Sequence, residues 1–418
     1  MNFPETPGLN ALVSRAGLEP LDADSWILHG QGQSLVARLN EGLVLVDTGP
    51  GGKVTRGMIA ALRTATDAPL AAIVYSHGHL GYNAGLPLWL ADAADRGHRP
   101  PRVIAHANVP RRHARYRATM PLQERLAEMQ FRSPARSLEG KLPVHDPHEV
   151  FDDRLVLGHG ERAVHLLWAP SETDDAIAVW IPGRRVLYGG PAIIDAIPNI
   201  GTPLRTMRDT LRWADTLERL AALQPVTVVR EFGDTLHGEA EIQTVLGGTA
   251  RALRWLHAEV LRLINLGMGE RELLAHLQWP PELFDVPWMR ATYGDPSYIA
   301  RDIYRSENGW WDRNATSLHP SPPEAAAQAM ADAIADKPAV IRAARALAEQ
   351  GQTQLALHVI DLLATAPGAA PEIGEARTLK AQWLRERARQ VPSFVSRSLY
   401  HAVANRLEDG SAVELGLR

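Results

Sequence analysis

The sequence contains no cysteine. That excludes disulfides, thiolate metal sites and a cysteine nucleophile, so any metal must rest on histidines and carboxylates. No stretch approaches the ~18 uninterrupted apolar residues of a membrane span, and the first residues, MNFPETPGLNALVSRAG, lack a charged segment followed by an apolar one. A cytoplasmic protein of bacterial type, with no membrane partner, is therefore expected. A large excess of one charge sign is lacking too. The formal net charge is −4 and no basic block stands out, which argues against nucleic acid as a partner. What remains is an ordinary globular composition, 45% hydrophobic and 22% charged, in 418 residues, enough for a large core and more than one domain.

The most informative stretch is AAIVYSHGHLGYNAG, Ala71 to Gly85. Its apolar, partly β-branched start reads as a buried parallel strand, and it ends in two histidines, His77 and His79, one residue apart. Side chains leaving the carboxyl end of such a strand face the crevice where α/β proteins bind ligands, so both imidazoles can share one zinc ion. Upstream, LVLVDTGPG reads as another buried strand followed by Asp47 and a glycine turn.

Around these strands the pattern predicts a β-meander over 24–47, with Gly/Asn turns between SWILHG, SLVARL and LVLVD. Helices are predicted over 53–65, 85–94 and 204–223, and strands over 102–106 and 226–229. His106, at a strand end, is read as structural. The segment 111–136, rich in Arg, Met and Gln, reads as helices or a lid. A second strand set is expected at 154–157, 163–168, 176–181 and 185–188. After about Gly238 strand signals vanish, and helices are predicted over 242–267, 323–350, 352–365, 372–389 and 393–407. The boundary predicted on this basis gives domains 1–240 and 241–418, the second being a helical tetratricopeptide-like or dimerisation module without a clean repeat.

A strand ending in Asp-Thr-Gly, followed about 30 residues later by one ending in Ser-His-x-His, resembles the metallo-β-lactamase superfamily. Three further stretches are similar to its alkylsulfatase branch: PSETDDAIAVW (170–180), IPNIGTPLRTMRD (197–209) and YGDPSYIARDIYRSENGWWDRNATSL (293–318). The resemblance implies an αββα sandwich followed by an all-helical alkylsulfatase-type dimerisation domain, and a homodimer. It implies Glu172, or Asp174 or Asp175 beside it, as an acidic metal ligand. Asn199 and Arg205 are implied as binders of an anionic small-molecule substrate, with Arg208 as the alternative to Arg205; a guanidinium fork matches a sulfate geometrically. An apolar pocket for an alkyl chain is implied as well.

The superfamily motif runs His-x-His-x-Asp-His, and here Gly81 and Tyr82 stand at its last two positions. Pro191 stands where a bridging carboxylate is implied and Phe232 where a distal histidine is. The second zinc site is thus expected to be lost, leaving His77, His79 and Glu172 for at most one zinc per chain, or none. His77, His79, Tyr82 and Asp47 are the candidate catalytic residues, although Asp47 also suits a structural bond to its own turn. Three functions follow: a mononuclear hydrolase of an anionic, sulfate-type ester; a metal-independent lyase, cyclase or isomerase of secondary metabolism in the same pocket; or a non-catalytic dimer that binds a partner.

Overall fold

The computed structural model describes residues 13–409; most of the N-terminal stretch read for targeting lies outside them. One six-stranded sheet holds β1 (Val13–Asp22), β2 (Ser25–Leu39), β3 (Gly42–Val46), β4 (Leu70–Val74), β5 (Arg102–His106) and β6 (Glu149–Phe151), in that spatial order. The other runs β7 (Arg154–Leu157), β8 (Val164–Trp168), β9 (Ile177–Ile181), β10 (Val186–Tyr188), β11 (Thr227–Val229) and β12 (Leu236–His237). Strands β3 to β6 pair in parallel, so their carboxyl ends open on one edge.

β3 (GLVLV) and β9 (IAVWI) are apolar at consecutive positions because both of their faces are covered. Val44, Val46 and Val74 meet Val179, Ile181 and Tyr188 between the sheets. On the outer side of the first sheet, Leu43, Leu45 and Ile73 pack under Met58 and Leu62 of α1 (Gly52–Ala65) and Trp89 of α2 (Leu86–Asp95). α3 (Val109–Ala118) and α4 (Met120–Phe131) follow β5. Outside the second sheet, Ala178, Trp180 and Val228 pack against α5 (Thr210–Ala221) and α6 (Glu239–Asn265). The layers are αββα, as expected. Each fully buried aliphatic side chain contributes roughly 1.5–3 kcal/mol.

Three expectations fail locally. The turn expected between SWILHG and SLVARL does not form: β2 runs through both, while β1 is an unexpected strand before it. Gly30 serves packing there, since a Cβ on it would lie 2.4 Å from Met58 Sδ. The helix expected over 323–350 is two, α10 (Pro323–Asp332) and α11 (Lys337–Glu349), because the Asp336 side chain accepts from Ala339 N and caps the second. α5 likewise starts at 210, not 204, where Asp209 accepts from Arg212 N.

By contacts, the described residues fall into two compact units. Within the described residues, one comprises 13–124 and 138–307, the other 125–137 and 308–409. The first keeps α6, α7 (Glu270–His276), α8 (Pro281–Phe284) and α9 (Pro296–Asn308) almost whole, because Leu246, Leu253, Leu273 and Ile303 share the apolar core under the second sheet. In the second unit α11, α12 (Thr353–Ala364), α13 (Pro371–Gln390) and α14 (Phe394–Asp409) bury Ile341, Ile360, Leu379, Trp383 and Leu407 together. No described helix is long and apolar enough to cross a membrane.

Candidate metal centre

The site forms where the parallel strands of the first sheet end. Asp47 follows β3 with φ 56°, a left-handed backbone that Asp tolerates better than most residues. It is buried, accepts from Ser76 N at 2.9 Å, from Ser76 Oγ at 2.5 Å and from Asn83 Nδ2 at 2.9 Å. Ser76 Oγ lies 2.9 Å from His77 Nδ1. The Asp47 carboxylate thus acts on His77 through Ser76, holding the ring by its far nitrogen. Burial pushes the Asp47 carboxyl up to about 6.

The loop between β8 and β9 brings in the acid. Glu172 Oε2 lies 3.8 Å from His77 Nε2 and 3.4 Å from His79 Nδ1. Its other oxygen accepts from Asn199 Nδ2 at 2.7 Å and pairs with Arg208 Nη1 at 3.0 Å. Burial holds both imidazoles below the usual histidine range, His77 far below it, so they are neutral at pH 7. For Glu172, burial works to raise the carboxyl, but it is held well below the carboxylate range. With both imidazoles neutral, the Arg208 guanidinium is the group that keeps it ionised.

These residues suit a metal ion. One ligand atom each from His77, His79 and Glu172 lies within 4.8 Å of the others, and the buried His77 Nε2 has no hydrogen-bond partner among the described residues. Two neutral imidazoles and one carboxylate form the three-ligand set of an open zinc centre. Asp174 and Asp175, the alternative acids, are engaged elsewhere: Asp174 pairs with Arg111 and Arg112, and Asp175 with Arg112 Nε at 2.5 Å. Asp175 also accepts from Gly78 N at 3.4 Å, between the two histidines. A Cβ at Gly78 would lie 2.9 Å from Asp175 Oδ2 and 3.0 Å from Arg112 Cδ, so a larger residue there would displace that ion pair.

The opposite half of the site is filled differently. A Cβ on Gly81, at φ 91°, would lie 2.8 Å from the Gln31 amide oxygen. Tyr82 is buried with its ring edge-on to His77, centroids 4.4 Å apart, and its hydroxyl lies beside the Glu231 carboxyl. Burial raises both the Tyr82 and Glu231 groups well above their usual ranges, favouring their protonated forms. Glu231 Oε1 has no hydrogen-bond partner among the described residues. Asp195 bonds Arg230 Nη1 at 2.9 Å instead, Pro191 lies in a buried 3-10 turn, and His237 is exposed on β12.

Arg205 lies in the same loop as Arg208, and burial lowers its guanidinium, with the Arg208 charge adding to that and Tyr293 and Glu172 opposing it. Arg208, the alternative, is the one that touches Glu172. His106 stacks on Trp168 at 5.5 Å and accepts from Asn108 N at 3.1 Å, consistent with its structural reading. Arg112 and Gln31 had no sequence signal, because each reaches the site from a distant part of the chain. The positive turn at Gly81 and the arginine-rich 111–136 segment were the nearest hints.

Residues 28–230 match the family model described as the metallo-beta-lactamase superfamily, and residues 269–410 the one described as alkyl sulfatase dimerisation. A linear primary-alkylsulfatase of a Pseudomonas species is 27% identical over 73% of this chain and 61% of its own. An (R)-specific secondary-alkylsulfatase, also from Pseudomonas, is 24% identical over 94% of this chain and 61% of its own. The solved structure of a stereoselective inverting sec-alkylsulfatase from Pseudomonas superimposes with a TM-score of 0.79 at 22% identity, over 94% of this chain and 66% of that one. The chain spans about three fifths of the length of the curated relatives it matches.

Proposed function

Because the chain belongs to the metallo-beta-lactamase superfamily, in its alkylsulfatase-like branch, we propose that it hydrolyses a sulfate-type anionic ester at His77, His79 and Glu172, with at most one zinc ion per chain. The observation that carries this is the buried His77 Nε2, left without a hydrogen-bond partner and facing a second neutral imidazole and an ionised carboxylate. When bound there, zinc supplies a Lewis acid and an acidified water. The chain's own residues do the rest. Asn199 and Arg208, with Arg205 beside them, bind the ester's anion, and Asp47 through Ser76 fixes the His77 ring with Nε2 toward the pocket. Tyr82, protonated and against His77, is the nearest donor for a leaving alkoxide.

One observation favours a second reading. Arg208 already neutralises Glu172, and Tyr82 and Glu231 fill the other half of the site, so the same pocket supports metal-independent proton transfer in a lyase, cyclase or isomerase. Sulfate release from a panel of sulfate esters, measured by ion chromatography before and after chelation, separates the two. The hydrolase reading expects release that chelation abolishes and zinc restores. Absence of release across the panel would sink it. We further propose a homodimer held through the C-terminal helices, a cytoplasmic location, and 240/241 as the border between the two inherited modules.

A further inference from the structure

Two charged groups beside the site have no part in the chemistry proposed above: the mostly buried Arg112 of α3 and Asp175, whose side chain is fully buried. An ion pair taken out of water is weak support for a fold, since apolar side chains of the same volume often stabilise it as well or better. The placement of this pair points to another role. Asp175 stands where the two ligand-bearing loops meet. Its Oδ1 accepts from Gly78 N at 3.4 Å and from the Thr173 hydroxyl, and its Oδ2 accepts from Arg112 Nε at 2.5 Å. Gly78 separates His77 from His79, and Thr173 directly follows Glu172. One carboxylate thus ties the peptide that orients both imidazoles to the turn that presents Glu172.

Helix α3 holds this junction from a third side. Arg112 Nη2 donates to Asp174 Oδ1 at 2.6 Å, and Asn108 Nδ2, at the start of the same helix, donates to Asp174 O at 3.0 Å. Backbone pairing joins the two loops at their roots, Ile177 N to Ser76 O at 2.8 Å, whereas Asp175 joins them beside the ligands. Zinc holds nitrogen and oxygen ligands at about 2.0–2.2 Å, so a small slip of one loop past the other breaks the set. Resting on the metal-centre reading above, we propose that Arg112 and Asp175 are positioning residues, which set His77 and His79 against Glu172 without touching the ion.

The test is isothermal titration of zinc into the chelator-treated full chain. The double variant Arg112→Met/Asp175→Asn removes both charges together, so that neither is left buried alone. A control, Arg63→Met/Asp92→Asn, deletes another buried pair, 2.6 Å apart between α1 and α2, whose hydrogen bonds reach neither ligand loop. Zinc is expected to bind the first variant about tenfold or more weakly and the control within about threefold of the wild type, circular dichroism showing both folded. A loss below about threefold in the first variant, or a similar loss in both, overturns the inference, because the pair then serves folding alone. Should the first variant fail to fold, Asp175→Asn decides by itself, since it keeps the volume and leaves Arg112 paired with Asp174. A loss beyond about threefold there supports the inference, and a smaller one overturns it. Wild-type protein that takes up no zinc defeats the metal-centre reading and the inference together. Zinc held equally by wild type and variants defeats the inference alone.

Discussion

A buried carboxylate that never reaches the metal position gives the fold a pH dependence of its own. Between about pH 4 and pH 6 the folded protein keeps the Asp47 proton that the unfolded chain has already released, so stability falls across that window and the loss is complete above it. The size is about 3 kcal/mol. Urea titrations from pH 4 to pH 7 are expected to give Asp47→Asn a flatter stability profile than the wild type; parallel profiles would mean that Asp47 ionises normally. Gly81 supports a second test at this scale. Restoring the aspartate of the family motif, Gly81→Asp, is expected to destabilise the fold by about 1–3 kcal/mol without adding a second metal, because Gln31 holds the space and the backbone is left-handed. A gain of one zinc per chain in that variant would contradict it. His77, His79 and Glu172 were legible in the sequence, the histidines from their spacing at a strand end and the glutamate from the family resemblance. Gln31 was not, because contacts between distant strands leave no local pattern.

At the scale of elements, burial periodicity revealed most strands and helices, since β3 and β9 are covered on both faces and α5 on one. It misread glycines and caps. Gly30 in GQGQ looks like a turn signal, yet its role is to let α1 approach β2 through Met58. Gly30→Ala is therefore expected to cost about 1–3 kcal/mol, as overpacking does, and Met58→Ala in the same chain to recover part of that loss in a double-mutant cycle. Additive losses would mean that the glycine serves the backbone and not the helix. The boundary between α10 and α11 was missed inside one long apolar-periodic stretch, where the Asp336 side chain caps Ala339 N and Pro338 sits in the first turn of the second helix.

For the whole molecule, the layered core of residues 13–307 positions the site, and the composition pointed to two bodies without revealing that α6 to α9 join the first through their apolar faces. The C-terminal match to alkyl sulfatase dimerisation leads to an expected dimer mass in multi-angle light scattering, which a monomer mass at micromolar concentration would refute. What matters most is how many metal ions the chain holds, because every catalytic role proposed for His77 follows from that number. The direct measurement is zinc per chain by plasma mass spectrometry, on tag-free protein prepared without added zinc, for the wild type and His77→Ala. The expected result is about one zinc per wild-type chain and none in the variant. No zinc in the wild type, or two, would contradict the single-metal centre.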